Sequence, residues 1–369
     1  MKTVIIIGAG PAGLACGGAL KMRGIEPRIL ERDAVASAWR NHYDGLRLHT
    51  HRSHSGLPGF PMPRTMPGFP GRGEVIAYLE SYARHHGLKP ETGVTVNRVV
   101  PGKNARWKVE SGSGTHEADD VIVAMGIAGA PLRPDWPGLD SFPGPVIHSN
   151  GYHDPAPFVG QRVLVVGFGN SAGEIAAQLA EAGIAVEMSV RSPVNVIPKM
   201  VLGQPSQRVG IWISVFPPHV ADMLNAPILK LRYGDLARLG LRKSGKGPVR
   251  SIIEDGRVPM IDTGMIAHMR EGRIGIRQGI ERIDGATVHF TDQTSGSYDA
   301  IIAAIGFAPD LRRLLPETPA VLSDAGAPQI TGRPSGAPGL WFCGYRQSPT
   351  GQLREVGIEA VRIAGLIAP

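Results

Sequence analysis

Two sets of glycines are the residues best placed to do chemistry in this 369-residue chain. The first, Gly8, Gly10 and Gly13, stands between the β-branched run from Val4 to Ile7 and a stretch rich in Ala and Leu. Gly8 suits a tight turn, Gly10 lets backbone approach a pyrophosphate, and Gly13 allows a helix to pack closely on a strand. The start of that helix offers free N–H groups and positive potential to phosphate. Glu31, ending the next apolar run, can accept hydrogen bonds from ribose hydroxyls. A glycine loop alone is a weak signal, but here both strands, the helix and the acid are in register.

The second set is Gly167 and Gly169 with Ala172 at the third position, and Asn170 and Ser171 lie between. Its following strand ends in Arg191, and Glu187 lies earlier in the same run. A carboxylate at the strand end would repel a 2′-phosphate, whereas a guanidinium binds it through paired hydrogen bonds. This loop is therefore expected to prefer NADPH, against the plainer reading of Arg191 as a surface arginine. Two dinucleotide loops on one chain imply electron transfer between cofactors, with FAD in the first site and NADPH in the second.

These loops need strands and helices to hold them, and an internal repeat supplies both. "TVIIIGAGPAG" opens the chain and "QRVLVVGFGNSAG" recurs from Gln161, each continuing into a second strand near Ile29 and Val190. The fold class expected is α/β, with two three-layer Rossmann-like domains. The strand-like "ADDVIVAMG" has a near copy, "YDAIIAAIG", ending at Gly306. The copies bracket the second unit and suggest an insertion. The FAD domain is then residues 1–154 and 303–369, and the NADPH domain is residues 155–302. Prolines between Pro58 and Pro70 predict loop, followed by a helix through "EVIAYLESYARHHG" capped at Gly87. The stretch 196–259 reads as a helical elaboration packed on its domain, with a membrane-surface contact or substrate lid as alternatives.

Composition excludes several classes. At 42% hydrophobic and 19% charged residues, with a formal net charge of +7, the chain is globular rather than disordered. Its Lys and Arg are scattered, which argues against nucleic acid. No apolar run approaches the ~18 residues that span a bilayer. The first residues read as a strand rather than a signal peptide, so a cytoplasmic location is expected. Cys16 and Cys343 form no C-x-x-C pair, and Cys16 lies within the first helix with no neighbour in sequence, so packing is the expected role of both. His49, His51 and His54 lack a fourth ligand at a recognisable spacing, so no metal is expected.

"FPGPVIHSNGY" resembles a signature of the class B flavoprotein monooxygenases, and Phe142, Gly144, His148 and Tyr152 match its fixed positions. Tyr152 favours the flavin-containing branch over the Baeyer–Villiger one. "YDGLRLHT", "FPMP", "VLVVGFGNSAGEIA", "VRSPVNVIP" and "VPMIDTGMIAHMREGRIGI" are similar to segments of the plant YUCCA-type enzymes. The family's A-T-G turns stand here as Ala124-Met125-Gly126 and Ala304-Ile305-Gly306, without the threonine. The resemblance implies that NADPH reduces the flavin and that reduced flavin captures O₂ as a C4a-hydroperoxide. It also implies that His148 is a hinge and positioning residue, and that no side chain is a certain catalytic acid or base. Trp39, Arg40 and Gln352 join Gly8, Gly10, Gly13 and Glu31 in the expected FAD set. Gln352 opens a last helix whose N-terminus is expected to face the flavin.

The expected partners are O₂ and a small-molecule substrate, and a homo-oligomer stays open. An aromatic 2-oxo acid such as indole-3-pyruvate is the substrate that the resemblance implies. N- or S-oxygenation of a small amine or thioether is the alternative. A redox-sensing FAD/NADP-binding protein and an uncoupled oxidase releasing peroxide are the other readings.

Overall fold

The computed structural model describes residues 2–103, 105–127 and 129–368. Two parallel sheets are built, in chain order, from β1 (Val4–Ile7), β2 (Arg28–Leu30), β3 (Asp120–Val123), β4 (Val146–His148), β5 (Arg162–Val166), β6 (Ala185–Ser189), β7 (Ile274–Arg277), β8 (Ala300–Ala303) and β9 (Leu340–Phe342). The helices are α1 (Pro11–Lys21), α2 (Ser37–Arg40), α3 (Arg72–His85), α4 (Asn170–Glu181), α5 (Ser206–Ile213), α6 (Pro218–Tyr233), α7 (Pro248–Asp255), α8 (Met265–Arg270) and α9 (Gln352–Ile367).

The first unit comprises the chain up to His42, Leu46–Ala130 and the chain from Phe307 onward. Its sheet has the order β2-β1-β3-β9, parallel throughout. Because successive side chains of a strand alternate faces, Val4 and Ile6 pack on the helical layer and Ile5 and Ile7 on the other. The helical layer is α1, α3 and α9, with Leu14, Leu79 and Ile363 buried among them. The opposite layer is an antiparallel meander of Val96–Pro101, Trp107–Ser111 and Gly114–Ala118. It contributes Val99, Trp107 and Val109 to a second core.

The second unit comprises Tyr43–Gly45 and Pro131–Gly306. Its sheet has the order β7-β6-β5-β8-β4 and is again parallel. Here too a three-stranded meander, from Ile280 to Ser297, covers one face with Val288 and Phe290. The chain thus repeats a whole plan of strand, loop, helix, strand, meander and strand.

That plan corrects the reading of "YDAIIAAIG". Its strand, β8, pairs with β5 and β4 inside the second sheet and does not return the chain to the first. β3 and β8 hold equivalent places, each following its own meander. The domain limits at 154 and 303 differ from the compact units for the same reason. Both β4 and β8 belong to the second sheet, so that unit spans 131–306.

The helical elaboration also differs from its expected packing. Of the 16 residues of α6, Ala221 and Tyr233 are the buried ones, and α5 buries Gln207. Trp212, Val215, Phe216 and Leu231 are exposed. Among the described residues no helix is long and apolar enough to cross a membrane.

Candidate cofactor sites

The first loop is fixed by backbone bonds. The N–H of Gly8 donates to Leu30 O (2.8 Å), and that of Leu14 to Gly10 O (3.0 Å). Gly8 has φ +105°, a region that disfavours side chains, and a Cβ there would lie 2.7 Å from Ala124 O. A Cβ on Gly13 would lie 1.8 Å from Gly8 O. A Cβ on Gly10 would meet nothing within 4 Å. Two glycines are therefore required by protein–protein packing, and the third faces open space at the start of α1. Pro11 begins that helix, and no acidic residue stands in its first turn.

Glu31 is buried and ties this loop to the end of β2. One carboxylate oxygen accepts from the Ala9 N–H (2.6 Å), and the other from the Asp33 N–H (3.0 Å) and the Ser37 hydroxyl (3.3 Å). Ala9 is held from its other side by the Ala36 N–H (3.1 Å). A carboxylate offers about four lone-pair positions, so capacity for ribose hydroxyls remains. Trp39 packs half-buried against the core. Arg40 is exposed, pairs through Nη2 with Glu80 of α3, and donates from Nε to Val35 O (3.2 Å).

Gln352 opens α9. Its amide nitrogen donates to Gly344 O (2.9 Å), and its Oε1 is buried without a hydrogen-bond partner. Glu359, one layer deeper, accepts from the Gly344 N–H (2.7 Å) and the Thr331 hydroxyl (2.9 Å). Both polar groups of the Gly344 peptide are thus clamped by α9, which fixes where that helix begins.

The second loop repeats the first bond for bond. Gly167 N–H donates to Ser189 O (3.0 Å), and Gly173 N–H to Gly169 O (3.0 Å). Gly167 has φ +125°, and a Cβ there would lie 2.3 Å from Ala304 O, while one on Gly169 would meet nothing within 4 Å. Both threonine-less turns hold their glycine at positive φ, Gly126 at +78° and Gly306 at +95°. Asn170 does not present its side-chain carbonyl to the loop; that oxygen accepts from Ile261 N–H (2.7 Å). Ser171 hydrogen-bonds Tyr43.

Beyond β6, Arg191 is exposed and its guanidinium pairs with no carboxylate among the described residues. Glu187 is engaged elsewhere, by Arg162 (3.0 Å), Arg277 (3.0 Å) and the Tyr298 hydroxyl. Tyr298's bond and Arg277's charge outweigh burial, the largest single influence, and hold this carboxyl below its usual value. The acid within the strand is therefore spent on its own unit.

His148 lies at the end of β4. Its Nε2 faces Gly306 O at 2.9 Å, and a carbonyl only accepts, so this nitrogen carries the proton. Nδ1 lies 3.0 Å from Asn150 Oδ1 and 3.3 Å from the Asn150 N–H, and the side chain caps the turn Ser149–Gly151. The imidazole therefore holds the last peptide of the second unit. Gly144 of the same segment fits against Asp299 O, 2.0 Å from where a Cβ would stand. Substituting His148 with Ala should cost about 1 kcal/mol of stability, the worth of one half-buried hydrogen bond, measurable by urea unfolding.

Sequence reading missed two clusters, because each joins residues remote along the chain. Cys16 has a neighbour after all: the buried Cys343, whose thiol donates to Val356 O (3.8 Å). The adjoining Cys16 and complete burial push the Cys343 thiol well up. Both sulfurs are buried, unlike the exposed pair of a redox dithiol. A thiol reagent should find neither cysteine in the native protein and both after denaturation. The second cluster is Glu174, buried on α4, which accepts from the Tyr43 hydroxyl. Burial pushes its carboxyl up to about 7, against the opposing effects of Tyr43 and Lys199.

The arrangement can take two phosphate-bearing nucleotides, one at each helix start, with ribose and 2′-phosphate partners at the strand ends. Known proteins share it. The model of the pyridine nucleotide-disulphide oxidoreductase family matches residues 5–212. The probable indole-3-pyruvate monooxygenase YUCCA1 of Arabidopsis thaliana is 34% identical over 372 residues, covering 98% of this chain and 89% of its own length. Indole-3-pyruvate monooxygenase YUCCA1 of Oryza sativa subsp. japonica is 33% identical over 330 residues, 87% of this chain and 79% of its own. Among solved structures, the flavin-containing monooxygenase from Stenotrophomonas maltophilia aligns with a TM-score of 0.73 and 26% identity, over 100% of this chain and 99% of that one. Similarity that runs the length of the chain, on a fold with two dinucleotide loops, places this protein in the class B flavin-dependent monooxygenases, as an FAD- and NADPH-dependent enzyme.

Proposed function

We propose that this NADPH- and O₂-dependent monooxygenase oxidatively decarboxylates an aromatic 2-oxo acid, with indole-3-pyruvate as the first candidate. The observation that carries this reading is the 34% identity, over 98% of the chain, to a relative named as a probable indole-3-pyruvate monooxygenase. The overall change is 2-oxo acid, O₂, NADPH and a proton going to the shortened acid, CO₂, NADP⁺ and water.

The residues fit the two cofactors. Open space at Gly10 and Gly169 admits pyrophosphates to the N-termini of α1 and α4. Glu31 serves the FAD ribose, and the buried, unpartnered Gln352 Oε1 offers an acceptor to the flavin at the start of α9. Trp39 closes the loop by packing. Arg40 uses donors on Glu80 and on Val35 O, and the rest of its exposed fork is available to the FAD phosphates. On the other loop Asn170 anchors Ile261 and contributes to the nucleotide through its backbone, beside Ser171. Arg191 takes the 2′-phosphate. The bound flavin supplies electron transfer and oxygen activation, and the chain supplies placement and exclusion of water.

The test is turnover with indole-3-pyruvate under ¹⁸O₂. One labelled oxygen in the indole-3-acetate formed, with NADPH consumed in equal amount, supports the reading. NADPH oxidation with peroxide and no acid would overturn this substrate, and amines and thioethers would be assayed next. His148→Ala should slow flavin reduction by NADPH more than it weakens nucleotide binding, since its imidazole holds Gly306.

A further inference from the structure

We infer that Arg242 is a second anchor for the NADPH 2′-phosphate, forming with Arg191 a clamp of two guanidinium groups. The inference rests on the assignment of Arg191 to that phosphate.

Arg242 comes from the chain between α6 and α7, far along the sequence from the loop it serves. It is nonetheless fixed beside Arg191. The Val194 N–H donates to Arg242 O (2.8 Å) and the Ser244 N–H to Val194 O (3.1 Å), so this segment runs as a short parallel bridge along residue 194. The Arg242 side chain then reaches back and donates from Nη2 to the Arg191 carbonyl. Arg191 is restrained from its other side, where Gly279 leaves room for its Cβ; a Cβ on Gly279 would lie 2.9 Å away. Two cationic side chains are thereby held at the carboxyl end of β6, the edge at which doubly wound sheets bind ligands.

Both arginines are exposed, and neither enters an ion pair among the described residues. The acid within β6, Glu187, is committed to Arg162 and Arg277. The Arg242 guanidinium lies on the Arg191 backbone, and with no carboxylate ion-paired to either side chain among the described residues, an anion supplies the counter-charge that this strand end lacks. A phosphate monoester carries about −1.5 to −2 charges and three acceptor oxygens, which suits two cations. One Arg242 donor is used on the Arg191 carbonyl, and about four of its N–H groups remain. Its anchoring bond leaves the fork in place to receive a phosphate, so little side-chain freedom is lost on binding.

The test is calorimetric binding to the flavin-loaded enzyme, comparing adenosine 2′,5′-bisphosphate with 5′-AMP. Arg242→Ala should weaken the bisphosphate by about tenfold or more and leave 5′-AMP within about twofold, as expected for loss of a charge-assisted contact to the 2′-phosphate alone. Arg242→Lys should fall between, because it keeps the charge without the fork. Equal weakening of both ligands would overturn the inference, since Arg242 would then only shape the loop. Unchanged bisphosphate binding in Arg242→Ala, with loss in Arg191→Ala, would also overturn it and leave Arg191 as the sole anchor. Unchanged binding in both variants would instead remove the 2′-phosphate from this strand end.

Discussion

Gly13→Ala should purify without flavin and unfold at markedly lower urea concentration. The added Cβ would stand 1.8 Å from Gly8 O, and that oxygen cannot retreat. Gly8 is held by its own N–H on Leu30 and packs against the Ala124 carbonyl, while the next residue, Ala9, is held by Glu31 and Ala36. The helix must move instead, and α1 is packed between β1, α3 and α9. Overpacking of this kind costs about 3 kcal/mol, the upper end of its usual range. Gly10→Ala is the informative companion. Its Cβ meets nothing, so the fold should keep its stability while the flavin-to-protein ratio falls. A Gly10→Ala protein that retains a full complement of flavin would remove the pyrophosphate from that space.

The stability of the second unit should fall as pH rises from about 5 to about 7, and Glu174→Gln should abolish that slope. The Glu174 carboxyl is pushed up to about 7 by burial, whereas in the unfolded chain it ionises at the ordinary carboxylate value. Between those two values the unfolded state has lost its proton and the native state still holds one. The native state therefore binds more protons, and raising the pH favours unfolding. Each pH unit in this window is worth about 1.4 kcal/mol, so the whole effect is on the order of 3 kcal/mol. The glutamine accepts the same bond from Tyr43 and cannot ionise. Urea titrations at intervals from pH 5 to 8 should show the variant overtaking the parent above neutrality. Parallel curves would mean that Glu174 reaches solvent.

The parts of this structure that are legible in the sequence are those set by local chemistry. β-Branched runs, glycine loops and Gly87, with its φ of +61°, reveal both βαβ units and the end of α3. The repeat is legible too, but its meaning is not. "ADDVIVAMG" and "YDAIIAAIG" look like two strands of one sheet, because sequence shows likeness and not pairing partners. Cys16 with Cys343 and Tyr43 with Glu174 depend on tertiary packing, and no spacing signals them. Arg40 shows the same limit within the expected FAD set: its type suits a phosphate, and its pairing with Glu80 of α3 depends on tertiary packing that no spacing signals. Asn170 sits in the right loop and uses its side chain to brace Ile261.

The discontinuity of the first unit bears on its biosynthesis. β9 and α9 complete its sheet and bury α1, yet they follow the whole stretch 131–306 along the chain. At about 5–20 residues per second, the roughly 200 residues between β3 and β9 take on the order of 10–40 s to make. Throughout that interval the open edge of β3 and the apolar side of α1 lack their final cover, while the stretch 131–306 emerges whole and can fold. Glu359 and Gln352, which clamp Gly344, arrive with β9 and α9. Flavin capture therefore waits for β9 and α9, and a nascent chain in a flavin-poor cell is most exposed to chaperones and proteases through its first 130 residues.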